Sequence, residues 1–259
     1  MKNVKISVVT CTLNPKPEHL EKALSSIENQ TFRDFEHIIN DSHSNRITSL
    51  IIQDYIKRNS KLYPIKFIQT KPLGVAKALN DAANQASGEI IHFLHSDDYY
   101  FDNKSLERAN NYFDKKTSWI TGNFIFIFKN KKFYVPITKL LKLNPKRVLS
   151  TFIFISHENT FMRTSLIKKY GGFNEKVQGP VEYRLWLRMI KKEKLKLVND
   201  VFTVFTIRKG SASRGGLTSA IRSIQECFHI LKEEKVPPFI SPSDALFLLK
   251  KQVFPPTPK

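Results

Sequence analysis

The chain is poor in several things, and each shortage excludes something. It has two cysteines in 259 residues, at positions 11 and 227. Two thiols cannot build a disulfide framework or a four-cysteine zinc site, and a reducing compartment is the natural expectation. Nine glycines and 13 prolines exclude a collagen-like or low-complexity chain. No apolar run reaches the ~18 residues of a membrane-spanning helix. The opening MKNVKISVVTCTLNP carries too short an apolar stretch for a signal peptide. There is no G-x-G-x-x-G and no Walker A segment, which counts against dinucleotide enzymes and P-loop nucleotidases. Acidic residues are scarce in one region only. Residues 1–100 carry a net charge of +1, and the remainder carries +18 of the total +19.

What is present is globular. Twenty Phe, 8 Tyr and 2 Trp supply ample surface for burial, enough for one large core or two small ones. The basic character of the later three-fifths draws polyanions: nucleic acid, anionic lipid or phosphorylated substrates. Charge alone does not choose among them.

The first hundred residues alternate between two periods. Strands are expected at Ile6–Thr10, Phe35–Asn40, Ile65–Gln69 and Glu89–Leu94, each a short, nearly continuous apolar run. Helical stripes separate them: Leu20, Ala23, Leu24 and Ile27, then Ile47–Tyr55, then Val75–Ala86 ended by Gly88. This order predicts an α/β fold with a mostly parallel sheet and helices on both faces. In such sheets ligands sit beyond the carboxyl ends of the strands. Three polar clusters fall there: Thr12-Leu13-Asn14, Asp41-Ser42-His43-Ser44 and Ser96-Asp97-Asp98.

After residue 100 the pattern changes. Trp119–Phe128 and Phe133–Val135 read as paired strands about a basic turn, and 137–149 as basic and partly amphipathic. Asn159–Arg163 reads as a strand, Ser165–Tyr170 as a helix capped by Gly171-Gly172, and Val181–Ile190 as a helix. Leu195–Ile207 is mostly strand, and Thr218–Lys232 and Ser243–Gln252 are helical.

The adjacent carboxylates of Asp97 and Asp98 repel each other unless a cation or water neutralises them. As hard oxygen ligands they suit Mg2+ or Mn2+ with a diphosphate, or they form a solvated turn or helix cap. Asp41 is either an acceptor for a base imide or ribose hydroxyl, or an Asx turn. His92 and His95, three apart on a strand, face opposite sides and do not ligate one metal together. Glu182, in PVEYRLWLR, is either a first-turn carboxylate favoured by the helix dipole or a general base over a cleft.

Taken together, ISVVTCTLN, SSIENQTFRDFEHIINDSHSN, LGVAKALNDAANQASGEIIHFLHSDD and GGFNE…VEYRLWLRM resemble, in that order over about residues 5–210, the family 2 glycosyltransferases of the GT-A fold. The variant G-x-x-x-A-L-N is most like the branch that builds bacterial cell-surface polysaccharides. The resemblance implies a Rossmann-like sheet with a smaller, mixed acceptor-side region. It divides the chain into a transferase domain, 1–215 (nucleotide-binding half 1–100, acceptor-side half 101–215), and a basic C-terminal helical extension, 216–259. It implies an inverting transfer from a nucleotide sugar, a UDP-sugar foremost, to a glycan or lipid-diphosphate-linked acceptor; the alternatives are a non-catalytic nucleotide-sugar-binding relative of the same fold and, on charge alone, a basic nucleic-acid-binding protein. Thr12, Asn14, Asp41, Asn80 and Asp97 then bind nucleotide, Asp97 and Asp98 hold Mn2+ or Mg2+, and Glu182 is the base.

The chain also departs from the family pattern. Asn40 replaces an acidic residue, His95 stands where Asp or Asn is usual, Leu79 replaces Arg, and residues 205–213 lack a late His. Arg208 and Lys209 are expected to neutralise the diphosphate instead. No nucleic acid is expected as partner. The location implied is cytoplasmic, with the basic surface either simply solvated over a core-packing helix or peripheral at the inner face of the plasma membrane. There Lys139, Lys142, Lys146, Arg147, Lys250 and Lys251 would meet anionic headgroups, and Phe247, Leu248, Leu249 and Phe254 would add shallow apolar contact.

Overall fold

The computed structural model describes residues 4–128, 131–142, 149–150, 155–206 and 216–238. Its first part is the alternation the sequence predicts. Strands β1 (Ile6–Thr12), β2 (Phe35–Asp41), β3 (Ile65–Gln69) and β4 (Ile90–Phe93) are separated by helices α1 (Pro17–Glu28), α2 (Arg46–Asn59) and α3 (Val75–Ala83). β1 pairs in parallel with both β2 and β4, and β2 with β3. Local chemistry sets the helix starts. Pro17 opens α1, where a missing N–H costs nothing. The Asn45 side chain caps α2 by accepting from the Thr48 amide at 3.0 Å. Gly74, at φ 105°, leads into α3 in a backbone conformation that side chains rarely adopt.

The second part is mixed. After β5 (Tyr99–Tyr100) and α4 (Ser105–Asn111) come β6 (Trp119–Phe128), β7 (Lys131–Val135) and α5 (Ile137–Leu141). A 3-10 turn at His157–Asn159 then leads into β8 (Thr160–Arg163), α6 (Thr164–Tyr170), α7 (Tyr183–Lys192), β9 (Leu195–Thr206) and α8 (Gly216–Glu233). The strands form one sheet in the order β3-β2-β1-β4-β8-β6-β9-β5, with β7 against β6. β8 runs antiparallel to both β4 and β6, while β9 is parallel to β6.

The two-residue period of each central strand divides the core. Val9, Cys11, Ile38, Ile91 and Phe93 join α3, α6, α7 and α8 in one cluster. Ile6, Val8, Ile90 and Leu94 join Ile27 of α1 and Leu106 of α4 in a second, and Ile39 joins α1 and α2 in a third. The sheet is therefore covered on both faces, as its continuous apolar strands require. Trp119 of β6 and Trp186 of α7 stack with ring centroids 5.3 Å apart, and the Trp186 indole N–H donates to the Ile155 carbonyl at 2.7 Å. Helix α8 adds Cys227, Ile230 and Leu231 to the same cluster. Among the described residues no helix is long and apolar enough to cross a membrane.

Two expected elements differ. α3 stops at Ala83 rather than Ala86, because the amides of Gln85 and Ala86 turn back to the carbonyls three residues earlier and close the helix. α7 begins at Tyr183, so Glu182 stands just before the helix rather than in its first turn. Ser243–Gln252, most of the basic 137–149 segment and the basic turn at 129–130 lie outside the described residues.

Candidate functional site

The carboxyl ends of β1, β2 and β4 form one edge of the sheet. Thr12 and Asp41 are register partners there. Asp41 is fully buried, and its carboxylate accepts from the Ser44 amide at 3.1 Å and from the Gln69 side chain at 3.3 Å. Asn14 takes φ 46°; its amide donates to Ser44 Oγ at 2.8 Å, and its side-chain oxygen accepts from the Asn45 amide at 2.7 Å. The loops after β1 and β2 are thus tied to each other. Thr12 Oγ1 is buried with no partner in the protein, as a group awaiting a ligand or water would be. Asn40 turns away from this edge: its side chain donates to the Ala78 carbonyl at 2.8 Å and accepts from Thr70 at 2.9 Å.

At the end of β4, the segment after Ser96 is held by β5, which pairs antiparallel with β9. That brings Asp98 against the end of β9, where one carboxylate oxygen accepts from the Thr206 amide at 3.0 Å. Asp98 is buried and Asp97 half-buried. Asn80 spends its amide on the loop after α6: it accepts from the Phe173 amide at 2.9 Å and donates to the Phe173 carbonyl at 3.0 Å and to Glu175 at 2.8 Å. Gly172, at φ 68°, permits this tie, since a Cβ there would lie 2.6 Å from Asn80 Oδ1. Phe173, so placed, packs edge-on against Phe93 of β4. Arg208 and Lys209 lie outside the described residues.

Two residues the sequence did not single out complete this end. Because β8 is antiparallel to β4, with Phe161 opposite His92, the start of β8 meets the end of β4. His157 and Glu158 therefore stand beside His95. His95 Nε2 lies 2.6 Å from His157 Nε2, and Glu158 Oε1 lies 3.3 Å from His157 Nε2 and 3.9 Å from His95 Nε2. The other ring nitrogen of His157, Nδ1, lies 3.6 Å from Glu182 Oε1. Glu182 has its side chain largely buried yet makes no capping bond to α7. Burial alone would push His157 down, but the carboxylates of Glu158 and Glu182 outweigh it and lift it to about 9. Burial and the adjacent His157 depress His95. His92 takes different partners, the Tyr100 hydroxyl at 2.9 Å and the Glu158 backbone carbonyl at 2.8 Å. The dipeptide His157-Glu158 before an apolar strand was the available signal, but only the direction of β8 gives it meaning.

The class this architecture defines is an α/β fold whose parallel strands end in one edge lined by polar groups. The family described as Glycosyl transferase family 2 matches residues 7–171, and the chain belongs to it. It is a glycosyltransferase. It is 29% identical over 228 residues to the Campylobacter jejuni GalNAc(5)-diNAcBac-PP-undecaprenol beta-1,3-glucosyltransferase, covering 84% of this chain and 70% of that one. It is 25% identical to the Escherichia coli UDP-Glc:alpha-D-GlcNAc-diphosphoundecaprenol beta-1,3-glucosyltransferase WfgD, over 82% of this chain and 80% of the relative. Among solved structures, Staphylococcus aureus TarS 1–349 in complex with UDP-GlcNAc superposes with a TM-score of 0.72 at 21% identity, covering 96% of this chain and 73% of that one. The Pyrobaculum calidifontis mannosyltransferase PcManGT, with GDP-Man and Mn2+, gives 0.66 at 20% identity, covering 98% and 71%. These likenesses establish the GT-A fold.

Proposed function

We propose that the carboxyl edge binds a nucleotide sugar, UDP-linked foremost, and transfers its sugar with inversion to a hydroxyl of a glycan or lipid-diphosphate-linked acceptor. The observation that carries this reading is that one short path leads from the nucleotide loops to a carboxylate. The Asp97-Asp98 segment leaves β4 beside β1, and His95, two residues earlier, reaches Glu182 through His157. The base imide or ribose of the donor is read by Asp41 and the loop of Thr12 and Asn14, with Asn80 holding the cleft wall. UDP-GlcNAc in TarS and the undecaprenol-linked acceptors named for the two relatives favour this donor and acceptor chemistry.

Displacement at the anomeric carbon needs two things of the protein. The acceptor hydroxyl must lose its proton as it attacks, and Glu182, whose carboxylate stands just before α7 beside His157, serves as that base. One base with no second carboxylate acting as nucleophile gives a single displacement. The diphosphate must also be neutralised as it leaves. Asp97 and Asp98 have the hard-oxygen chemistry that Mn2+ or Mg2+ takes, and the Thr206 amide holds the Asp98 carboxylate in place at the end of β9. A divalent ion held there would supply charge to the leaving diphosphate. Arg208 and Lys209 are assigned to the same task. The exposed Lys139 and Lys142 remain the described part of the proposed contact with an anionic membrane face.

The test is a thermal-shift panel of nucleotides and nucleotide sugars with and without Mn2+, followed by NMR of the product. A uridine diphosphate sugar is expected to stabilise the chain most, and the new linkage is expected to have inverted anomeric configuration. Stabilisation by no nucleotide, or retention in the product, contradicts the reading.

A further inference from the structure

We propose that His95, His157 and Glu158 form a second cation site, nitrogen-rich and distinct from the Asp97-Asp98 pair, that takes a borderline transition-metal ion such as Zn2+ or Co2+ without any nucleotide present.

The geometry is that of a ligand set drawn together. Among the described residues this is the group of His, Cys, Asp and Glu able to converge on one ion, with its donor atoms all within 4.8 Å of one another. The three separations, 2.6, 3.3 and 3.9 Å, define a circle whose centre lies about 2.0 Å from all three atoms. Zinc–nitrogen and zinc–carboxylate distances are roughly 2.0–2.2 Å. The two imidazole nitrogens must separate by roughly 0.7 Å to open the angle between them to a tetrahedral one. Two imidazoles and one carboxylate favour zinc, cobalt, nickel or iron over magnesium, which prefers oxygen alone. Three protein ligands leave a position for water or a substrate oxygen.

The surroundings hold the donors in place. The second oxygen of Glu158 accepts from the Ser156 hydroxyl. The Glu158 backbone carbonyl accepts from Thr203 Oγ1 at 2.8 Å and is bonded by His92 at 2.8 Å, so the 3-10 turn is pinned from β9 and β4 together. The independent sign lies on His157. It is nine-tenths buried, and its Nδ1 has no hydrogen-bond partner in the protein. With Nε2 on a metal, the ring proton sits on Nδ1 and faces Glu182 Oε1, 3.6 Å away. A metal-ligating histidine almost always donates its other N–H to a carboxylate or carbonyl in this way. The ion would then orient the proposed base through His157, making His157 a positioning residue.

The experiment titrates Co2+ into the full chain, stripped with chelator and free of nucleotide, reading visible d–d absorption and stoichiometry, with Zn2+ calorimetry beside it. One Co2+ per chain, with bands of nitrogen ligation displaced by Zn2+, is expected. His95→Ala and Glu158→Gln should weaken binding at least about tenfold. Asp97→Asn should retain it. His95 is more exposed than His157, so its variant tests the site with less risk to folding; thermal melts verify the fold. No binding without nucleotide, binding unchanged in His95→Ala, or binding lost in Asp97→Asn overturns the proposal. Donor binding, followed on the same samples, reports the nucleotide pocket separately, so a failure there does not masquerade as a failure here.

Discussion

The two edges of the sheet make opposite use of their polar groups. At the amino edge, Lys5 and Arg163 both pair with Glu89, and the Arg163 guanidinium also donates to the Thr117 carbonyl at 3.1 Å. Each of those charges has a partner within the protein. At the carboxyl edge, Thr12 Oγ1 is buried without a hydrogen-bond partner, His157 Nδ1 faces Glu182 Oε1 at 3.6 Å, and Asn14 and His43 take positive φ. A carboxylate, Glu182, stands at a helix start without capping it. Backbone held in the left-handed region costs stability, and Asn14 and His43 bear that cost in the two loops that follow β1 and β2, where a ligand of such a sheet is seated. The depression at the amino edge is lined by Lys5, Glu89, Phe113, Asp114, Lys115 and Arg163; there Glu89 holds Lys5 and Arg163, and Asp114 accepts from the Lys116 and Thr117 amides.

This contrast orders the expected effects. Glu182→Gln should lower kcat by roughly 10²–10⁴-fold while leaving donor affinity and melting temperature near those of the parent; steady-state kinetics with donor calorimetry checks it. Asp41→Asn should weaken donor binding by about 1.5–3 kcal/mol, since it removes a charged acceptor, and should change kcat less than KM.

Between the edges, His37 reads the sheet's interior. It is fully buried between the Tyr55 and Thr10 hydroxyls, each at 2.9 Å, and burial pushes it down to about 3. The unfolded chain takes up that proton near pH 6.5, the folded protein only near 3. Its contribution to stability is therefore complete above pH 6.5 and is lost as pH falls toward 3. Urea melts at pH 7.5 and 5.0 should show about 2 kcal/mol of destabilisation from this group, absent from His37→Gln. The smallest effect belongs to the amino edge. Lys5→Ala should cost no more than about 1 kcal/mol and leave turnover unchanged, because its ion pair with Glu89 is solvent-accessible.

The same contrast explains what was legible beforehand. β1 to β4 announce themselves as apolar runs, and the parallel topology follows from the helices between them, so the carboxyl edge with Thr12, Asp41 and Asp97 was readable at once. Glu182 was recognisable by its setting in VEYRLWLR, yet its place just outside α7 depended on where the first helical amide bond closes. His157 and Glu158 were invisible for a topological reason. A strand written 159–163 has no direction until β8 is known to run antiparallel to β4, and only then does its first turn meet His95. Asn80 was named through the resemblance, but its ties to Phe173 and Glu175 span more than ninety residues and were not legible before the fold.

The measurement that bears most directly on this account is the crystal structure of the chain with a UDP-sugar and Mn2+. The account predicts the uracil at Asp41, the diphosphate over Asp97 and Asp98, and the anomeric carbon open to a hydroxyl within reach of Glu182. A nucleotide seated elsewhere, such as in the depression between Lys5 and Arg163, would contradict it.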